Sequence, residues 1–377
     1  MLLDNHLIIP LPVRMEEHIN ILPLHKWFDT GGFPLVISGP CSAESEEQVM
    51  QTAYALSKIP DVKVFRAGIW KPRSRPRSFE GVGNAGLAWL RRVKEETGLK
   101  VTVEVANPSH VEASLKSGID ILWIGARTVV NPFSVQEIAD ALKGVDIPVM
   151  VKNPVIADIT LWIGAIERLS QSGINKIIAV HRGFSAYEKN PYRNAPLWEI
   201  PIELKQRLPN IPLLCDPSHI AGKTGLIYDI SQKALDLAMD GLMIETHINP
   251  KLALSDARQQ LTPQQLREII ARLTIRQVGE SDKDDLLEEF RAQIDKIDHK
   301  LINVLAERMQ VVEKIGHYKS DRGITILQIK RWRDIIGDRL NRGVESGLTR
   351  EFLLKLLQLV HKASIQKQEE ILNKKKN

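Results

Sequence analysis

Phe65-Arg66-Ala67-Gly68-Ile69-Trp70-Lys71-Pro72-Arg73-Ser74-Arg75-Pro76-Arg77-Ser78-Phe79 is the stretch around which the chain is organised. The apolar segment Val62 to Arg66 reads as a strand, and the stretch that completes it carries five cations: Arg66, Lys71, Arg73, Arg75 and Arg77. Pro72 and Pro76 remove backbone donors and disfavour helix, so these side chains project from a stiff, extended loop. Arg forks and a Lys point charge suit phosphate and carboxylate together. The stretch reads as an anion trap at the end of a strand.

Outward from it the pattern repeats. Strand candidates are Leu35 to Ser38, Val62 to Arg66, Val101 to Val105, Ile121 to Ile124, Val149 to Lys152, Lys176 to Val180, Leu213 to Cys215 and Gly241 to Glu245. Between them Ser45 to Lys58, Ala85 to Glu96, Val135 to Leu142, Trp162 to Ser170 and Ala195 to Arg207 have the apolar spacing of helices that cover a sheet. Eight such units in about 240 residues predict an α/β TIM barrel rather than an open doubly wound sheet. At or just past the strand ends come Cys41, Arg66, Glu104, Arg127, Lys152, Arg182, Asp216 and Glu245. A barrel gathers such residues around one mouth, whereas an open sheet strings them along an edge.

The 377 residues carry a net charge of +5, but residues 1–280 hold 31 Lys+Arg against 30 Asp+Glu. Cations that are locally concentrated in a nearly neutral body favour a small anionic ligand over nucleic acid. The two cysteines, Cys41 and Cys215, are too few for a disulfide framework and fit a reducing, cytoplasmic setting. Neither a signal peptide nor a membrane span is expected from the apolar runs.

Cys41, His219, Glu245 and Asp256 form a candidate metal set. A thiolate, an imidazole and two carboxylates suit a borderline divalent ion: Mn, Fe, Co or Zn. Arg66, Lys71, Arg73, Arg127, Lys152 and Arg182 bring more positive charge than one phosphate requires, so two anionic substrates are implied. A Lewis acid beside two phosphate sites suits activation of an aldehyde on one substrate for attack by a carbon nucleophile from the other.

GPCSAES at 39–45, RAGIWKPRS at 66–74, GAR at 125–127, VKNP at 151–154, HRG at 181–183, DPSH at 216–219, IETH at 244–247 and SDARQQL at 255–261 resemble the motifs of 3-deoxy-D-arabino-heptulosonate 7-phosphate synthase, short type I beta. The resemblance implies condensation of phosphoenolpyruvate with erythrose 4-phosphate. It implies metal binding, with Mn placed first, by Cys41, His219, Glu245 and Asp256, and a phosphoenolpyruvate site made of Arg66, Lys71, Arg127, Lys152 and Arg182. Arg73 and Ser74 would take erythrose 4-phosphate, Ser74 keeping the hydroxyl of the usual threonine. Glu104 would orient a water, and Asp216 and His219 would handle protons. Related barrels that use arabinose 5-phosphate resemble Lys-Ala-Asn-Arg where this chain has Lys-Pro-Arg-Ser.

After residue 275 the alternation stops. Residues 1–32 are expected as an N-terminal extension, 33–275 as the barrel domain, 276–285 as an acidic linker, and 286–377 as a helical domain with a basic tail. From Leu286 to about Lys319 apolar residues recur at Phe290, Ile294, Ile297, Leu301, Leu305, Val312 and Ile315, the stripe of one helix about 50 Å long. Shorter helices are expected near Leu327 to Arg342 and Thr349 to Asn373. So long a first helix needs more cover than its own short partners give, which predicts a homodimer, or a higher oligomer built on it.

Residues 286–372 resemble an AroQ-type chorismate mutase, which implies conversion of chorismate to prephenate. Arg291, Arg308, Lys319, Arg331, Ser364 and Gln368 fall on that family's active-site positions. At ~100° per residue Arg308 and Lys319 land about 20° apart, whereas Arg291 points about 100° away from Arg308. An Arg291 donated by a partner's long helix reconciles these, as the resemblance to that family's intertwined dimer implies. Where an Asp and a Glu are common in the family, this chain has Gln328 and Trp332; Gln328 still offers a hydrogen bond, but Trp332 offers no carboxylate. The alternative is therefore a helical module that senses or dimerises without catalysis. Fusion of the two activities suggests feedback, with chorismate or prephenate on the helical domain inhibiting the barrel.

Overall fold

The computed structural model describes residues 19–72, 78–186, 190–276, 285–326 and 329–374, with backbone alone at 285, 329–335 and 374. Arg73, Ser74 and Gln328 lie outside the described residues. The chain divides into two compact units between residues 278 and 279.

The first unit is a closed parallel barrel of eight strands in sequence order. Its first half runs β1 (Leu35–Gly39), α1 (Glu46–Leu56), β2 (Val62–Arg66), α2 (Ala85–Thr97), β3 (Lys100–Val105), α3 (Pro108–Lys116), β4 (Ile121–Ile124), α4 (Ala126–Val129) and α5 (Pro132–Ala141). Its second half runs β5 (Val149–Lys152), α6 (Ile159–Gln171), β6 (Ile177–His181), α7 (Glu199–Arg207), β7 (Leu213–Cys215), α8 (Pro217–Ala221), α9 (Ile227–Asp236), β8 (Gly241–Glu245) and α10 (Pro263–Arg272). Closure pairs β1 with β8, Gly39 standing opposite Glu245.

Two apolar layers follow from the period of two along each strand. Leu35, Ile37, Val64, Ile121, Trp123, Met150, Ile178, Val180, Leu214 and Met243 fill the interior. The alternate residues, among them Val36, Phe65, Val103, Leu122 and Val151, meet the helices. Residues ahead of β1 close the floor, where Leu24 and Phe28 join the interior cluster. The helices start on side-chain caps: Ser45, Asn107, Asn131, Asp158 and Thr262 each accept a backbone N–H of the first turn.

The second unit consists of α11 (Asp285–Asp321), α12 (Ile329–Glu345) and α13 (Arg350–Lys374). α11 and α13 run side by side in the same direction, Arg308 meeting Ser364 and Gly316 meeting Gln368 and Ile371. A Cβ on Gly316 would come 2.7 Å from Ile371, so the glycine permits this close approach. Among the described residues the first half of α11 has no such neighbour: Phe290, Ile294, Ile297 and Leu301 are 51% to 60% exposed.

Candidate active site

The same alternation that fills the barrel with aliphatic side chains places charge at its top. Two residues beyond Val64, Thr102, Met150, Leu214 and Met243 stand Arg66, Glu104, Lys152, Asp216 and Glu245, forming the uppermost interior layer. Arg66, Glu104, Lys152 and Glu245 are within their strands, while Cys41, Arg127, Arg182 and Asp216 are in the segments that follow. Trp123 floors this layer, its ring 5.1 Å from the Arg66 guanidinium and 5.8 Å from Lys152 Nζ. A Cβ on Gly125 would meet Glu104 Oε1 at 2.0 Å, so only glycine leaves that carboxylate in place.

Cys41, Glu245 and Asp256 offer ligand atoms that all lie within 4.8 Å of one another. His219 stands at the edge of this trio, Nε2 3.8 Å from Glu245 Oε1. The loops after β1 and β8 are adjacent because the barrel closes there, and they are laced together. Gln260 Oε1 accepts from Cys41 N at 2.9 Å, Ser42 and Ser255 hydroxyls lie 2.5 Å apart, and Glu44 Oε1 accepts from Leu254 N at 2.8 Å. Asp256 takes left-handed backbone angles, φ 48° and ψ 35°, which turn its side chain toward Cys41 Sγ at 3.4 Å.

These groups fit a divalent metal. Glu245 Oε1 is buried and accepts no hydrogen bond, although Arg66 Nη2 lies 3.2 Å away, so it has a lone pair to give. Asp216 Oδ2 lies 2.8 Å from His219 Nδ1, which favours the hydrogen on that nitrogen and leaves Nε2 free to ligate. Burial lowers the His219 pKa, keeping the ring neutral at pH 7. Burial opposes the Asp256 charge, but Arg193 holds the carboxyl down at about 2. Burial first, then Glu245, pushes the Cys41 thiol up to about 11, so the thiolate needs a cation to form. Lys71 supplies part of this, donating to Cys41 O at 2.9 Å and Sγ at 3.1 Å. Burial alone would lower the Lys71 pKa, yet Cys41, Glu245 and Glu104 raise it, and the ammonium persists.

Beside the cluster, Asp216 Oδ2 also accepts from Lys152 Nζ at 2.8 Å, and both side chains are buried. Burial works against this carboxylate, but His219 and Lys152 hold it well below the usual range. Arg182 donates to Asn194 Oδ1 at 2.9 Å, and its backbone N–H to Asn153 Oδ1 at 2.6 Å. Arg127 donates to Pro72 O at 3.3 Å. Lys71, Arg127, Lys152, Arg182, Arg193 and His219 surround a cavity of about 230 Å³. A larger hollow of about 980 Å³ lies at the opposite end of the barrel, where none of the strand-end residues reaches it. Chemistry, not size, marks the site.

In the helical unit, Arg308 donates to Ser364 Oγ at 2.7 Å, and Gln368 Nε2 donates to Ser364 O at 3.1 Å. Gln368 Oε1 is buried without a hydrogen-bond partner. Lys319 Nζ donates to Ile326 O at 2.6 Å. Arg291 pairs with Glu288 on the exposed part of α11, and Arg331 lies on α12.

A sequence model described as the DAHP synthetase I family matches residues 27–277, the barrel from its floor to beyond α10. The chain belongs to this family. Within it, a phospho-2-dehydro-3-deoxyheptonate aldolase of Thermotoga maritima is 33% identical over 239 residues, 63% of this chain and 68% of that protein. A 2-dehydro-3-deoxyphosphooctonate aldolase of Wolinella succinogenes is 27% identical over 263 residues, 63% of this chain and 97% of its own length. The crystal structure of the Thermotoga maritima DAHP synthase superposes with a TM-score of 0.58 at 31% identity, over 64% of this chain and 67% of that one. A second model, chorismate mutase type II, matches residues 290–369, so both domains are present in one chain.

Several residues at this barrel mouth carry no signal in spacing. Trp123 reads as core, and Asn153, Gln259 and Gln260 fall within the VKNP and SDARQQL motifs, but spacing does not tell that they hold Arg182, Glu245 and Cys41 in place. Gln260 and Cys41 are 219 residues apart, and only barrel closure joins them.

Proposed function

We propose that the barrel condenses phosphoenolpyruvate with erythrose 4-phosphate to DAHP and phosphate, and that the helical unit rearranges chorismate to prephenate. The observation that carries the first half is the convergence of Cys41, Glu245 and Asp256, with His219 adjacent, on a mouth rimmed by Arg66, Lys71, Lys152 and Arg182. Cys41, His219, Glu245 and Asp256 would hold a divalent ion, Mn first among Mn, Fe, Co and Zn. When bound, the ion supplies Lewis acidity toward a substrate aldehyde.

The chain's own groups do the rest. Arg66, Lys71, Arg127, Lys152 and Arg182 neutralise and orient phosphoenolpyruvate, and Arg73 and Ser74 take the second phosphate. A C–C bond forms between C3 of phosphoenolpyruvate and the aldehyde carbon. Water oriented by Glu104 then adds at C2, and the hemiketal phosphate expels inorganic phosphate. Lys152, Asp216 and His219 form a proton-holding chain, with Asp216 Oδ2 2.8 Å from a nitrogen of each partner. In the helical unit Arg291, Arg308 and Arg331 would clamp the substrate carboxylates, Gln328 and Ser364 its polar periphery, and Lys319 and Gln368 the ether oxygen whose bond breaks.

The exposed stripe from Phe290 to Leu301 supports pairing of two copies through α11, with Arg291 of one copy serving the other. The fusion of both domains in one chain across a short linker motivates the further reading that chorismate or prephenate bound to the helical unit inhibits the barrel. The activity itself is tested by phosphate release from phosphoenolpyruvate and erythrose 4-phosphate in the cytoplasmic, metal-loaded form. Loss on chelation and in Cys41→Ala is expected; turnover by Cys41→Ala under controlled metal refutes the assignment. Substituting arabinose 5-phosphate separates this reaction from that of the phosphooctonate aldolases. Trp332 favours a second reading of the helical unit as a sensor without catalysis. Chorismate left untouched by folded protein would establish it.

A further inference from the structure

Between the four candidate metal ligands and the cations assigned to phosphoenolpyruvate lies a dipeptide, Arg193-Asn194, that borders the same cavity without a role of its own so far. It is seated on the segment joining β6 to α7, and both backbone N–H groups donate to Ile220 O, at 2.9 and 3.2 Å. Arg193 Nη1 lies 3.1 Å from Asp256 Oδ1 and donates to Gln259 Oε1 at 2.7 Å. Gln259 Nε2 in turn donates to Glu245 Oε2 at 2.7 Å. One guanidinium nitrogen thus ties two carboxylates of the cluster through one oxygen each. The other oxygen of each remains on the side of Cys41 and His219: Asp256 Oδ2 is 3.4 Å from Cys41 Sγ and Glu245 Oε1 is 3.8 Å from His219 Nε2.

Asn194 reaches the other way. It is buried, its Oδ1 accepts from Arg182 Nη1 at 2.9 Å, and its Nδ2 donates to His219 O at 2.6 Å. Adjacent residues on one pinned backbone therefore grip the acidic ligands, the backbone of the imidazole ligand and a cation of the anion site. The chain makes room for this: Gly222 has φ +67°, and a Cβ there would meet Arg193 Cβ at 2.5 Å.

We infer that Arg193 and Asn194 are positioning residues that couple metal loading at Cys41, His219, Glu245 and Asp256 to anion binding at Arg182. This rests on the reading above that those four residues hold a divalent ion and that Arg182 takes phosphoenolpyruvate. Groups that orient metal ligands through hydrogen bonds typically change metal affinity by about 10–100-fold when removed. Coupling between two sites is reciprocal, so phosphoenolpyruvate must tighten the metal by the factor with which the metal tightens phosphoenolpyruvate.

The test is the Mn2+ dissociation constant of the full-length apo chain, read from the free Mn2+ resonance without phosphoenolpyruvate and then with it saturating. No aldehyde is present, so nothing turns over. Wild type should bind Mn2+ about 5-fold or more tightly with phosphoenolpyruvate. Arg193→Met and Gln259→Met should each weaken Mn2+ by about 10-fold, the double variant no more than either alone, because they break one bridge. Arg193→Lys, which keeps the charge beside Asp256, should recover part of the loss. Asn194→Ala, which also loses the hydrogen bond to His219 O, should weaken Mn2+ alone by up to about 10-fold and abolish the phosphoenolpyruvate effect; Asn194→Ser replaces it if the alanine variant melts early. A wild type without the effect, an Asn194 variant that keeps it, or an Arg193→Met chain that binds Mn2+ like wild type overturns the inference. If Cys41→Ala binds Mn2+ as wild type does, the metal reading itself fails, a separate outcome.

Discussion

Loading the cluster with a divalent metal should release close to one proton at neutral pH, and that proton should come from Cys41. The thiol stands at about 11 because burial, then Glu245 and Asp256, outweigh Lys71 at 3.1 Å. The other ligands have nothing to give up. Asp256 is held at about 2, Glu245 is lowered by the surrounding cations against its burial, and the lowered pKa of His219 favours the neutral ring. A thiol titrating at about 11 faces four decades of proton binding at pH 7, a penalty of about 5 kcal/mol on metal affinity. Affinity should therefore rise close to tenfold per pH unit between about 7 and 9. Calorimetric titration of Mn2+ into apo protein, in two buffers of different ionisation enthalpy, counts the protons. Cys41→Ser should release none and bind more weakly. Release below about 0.3 proton by wild type, or equal release by the serine variant, would refute the argument.

Lys152→Met should destabilise the barrel by about 3–5 kcal/mol in urea melts, because Asp216 is left charged in a site that is 0% exposed. Asp256 is depressed to about 2 against an ordinary 3.8, so its stabilisation is fully present above pH 4 and lost as pH falls toward 2. Because Arg193 is 44% exposed, this amounts to about 1–2 kcal/mol, and Asp256→Asn should flatten that part of the acid-unfolding curve. Arg308→Lys should lower chorismate turnover about 10²–10³-fold, with phosphate release by the barrel unchanged. A truncation after Glu280 should escape inhibition by chorismate or prephenate, and full inhibition of that barrel would remove the helical unit from the feedback path.

How far the sequence carries depends on the range of the contact. The strands run within a residue of the segments read from apolar alternation, because period-two burial is a local constraint. Arg66, Glu104, Lys152 and Glu245 are legible for the same reason: each continues the inward register of its strand by one step. Helix α3 is less so, since only Val111 and Ser114 are buried in it and its start is fixed by the Asn107 cap rather than by a stripe. The Arg193 bridge spans 66 residues to Gln259, and nothing local distinguishes that arginine from a solvated one. Long-range polar partners are set by closure of the barrel, which spacing does not encode.

The helical unit shows the complementary limit. Periodicity states which residues share a face, and Arg308, Ser364 and Gln368 do meet across α11 and α13. It does not state which copy completes that face. In a single chain α11 leaves Phe290, Ile294, Ile297 and Leu301 more than half exposed, and covering a side chain of this size contributes about 1.5–3 kcal/mol each. Four such residues in one stripe would outweigh much of the entropy lost when two chains associate, whereas a lone α11 gains nothing from them. At ~100° per residue this stripe faces nearly the same way as Arg308, and Arg291 flanks it at roughly 90°, on the border of the surface a second copy would cover. Ile297→Asp should therefore separate the copies in light scattering and abolish chorismate turnover together, because one surface carries both the association and the missing cation. A monomer that still converts chorismate at the wild-type rate would show that Arg291 has no part in the site.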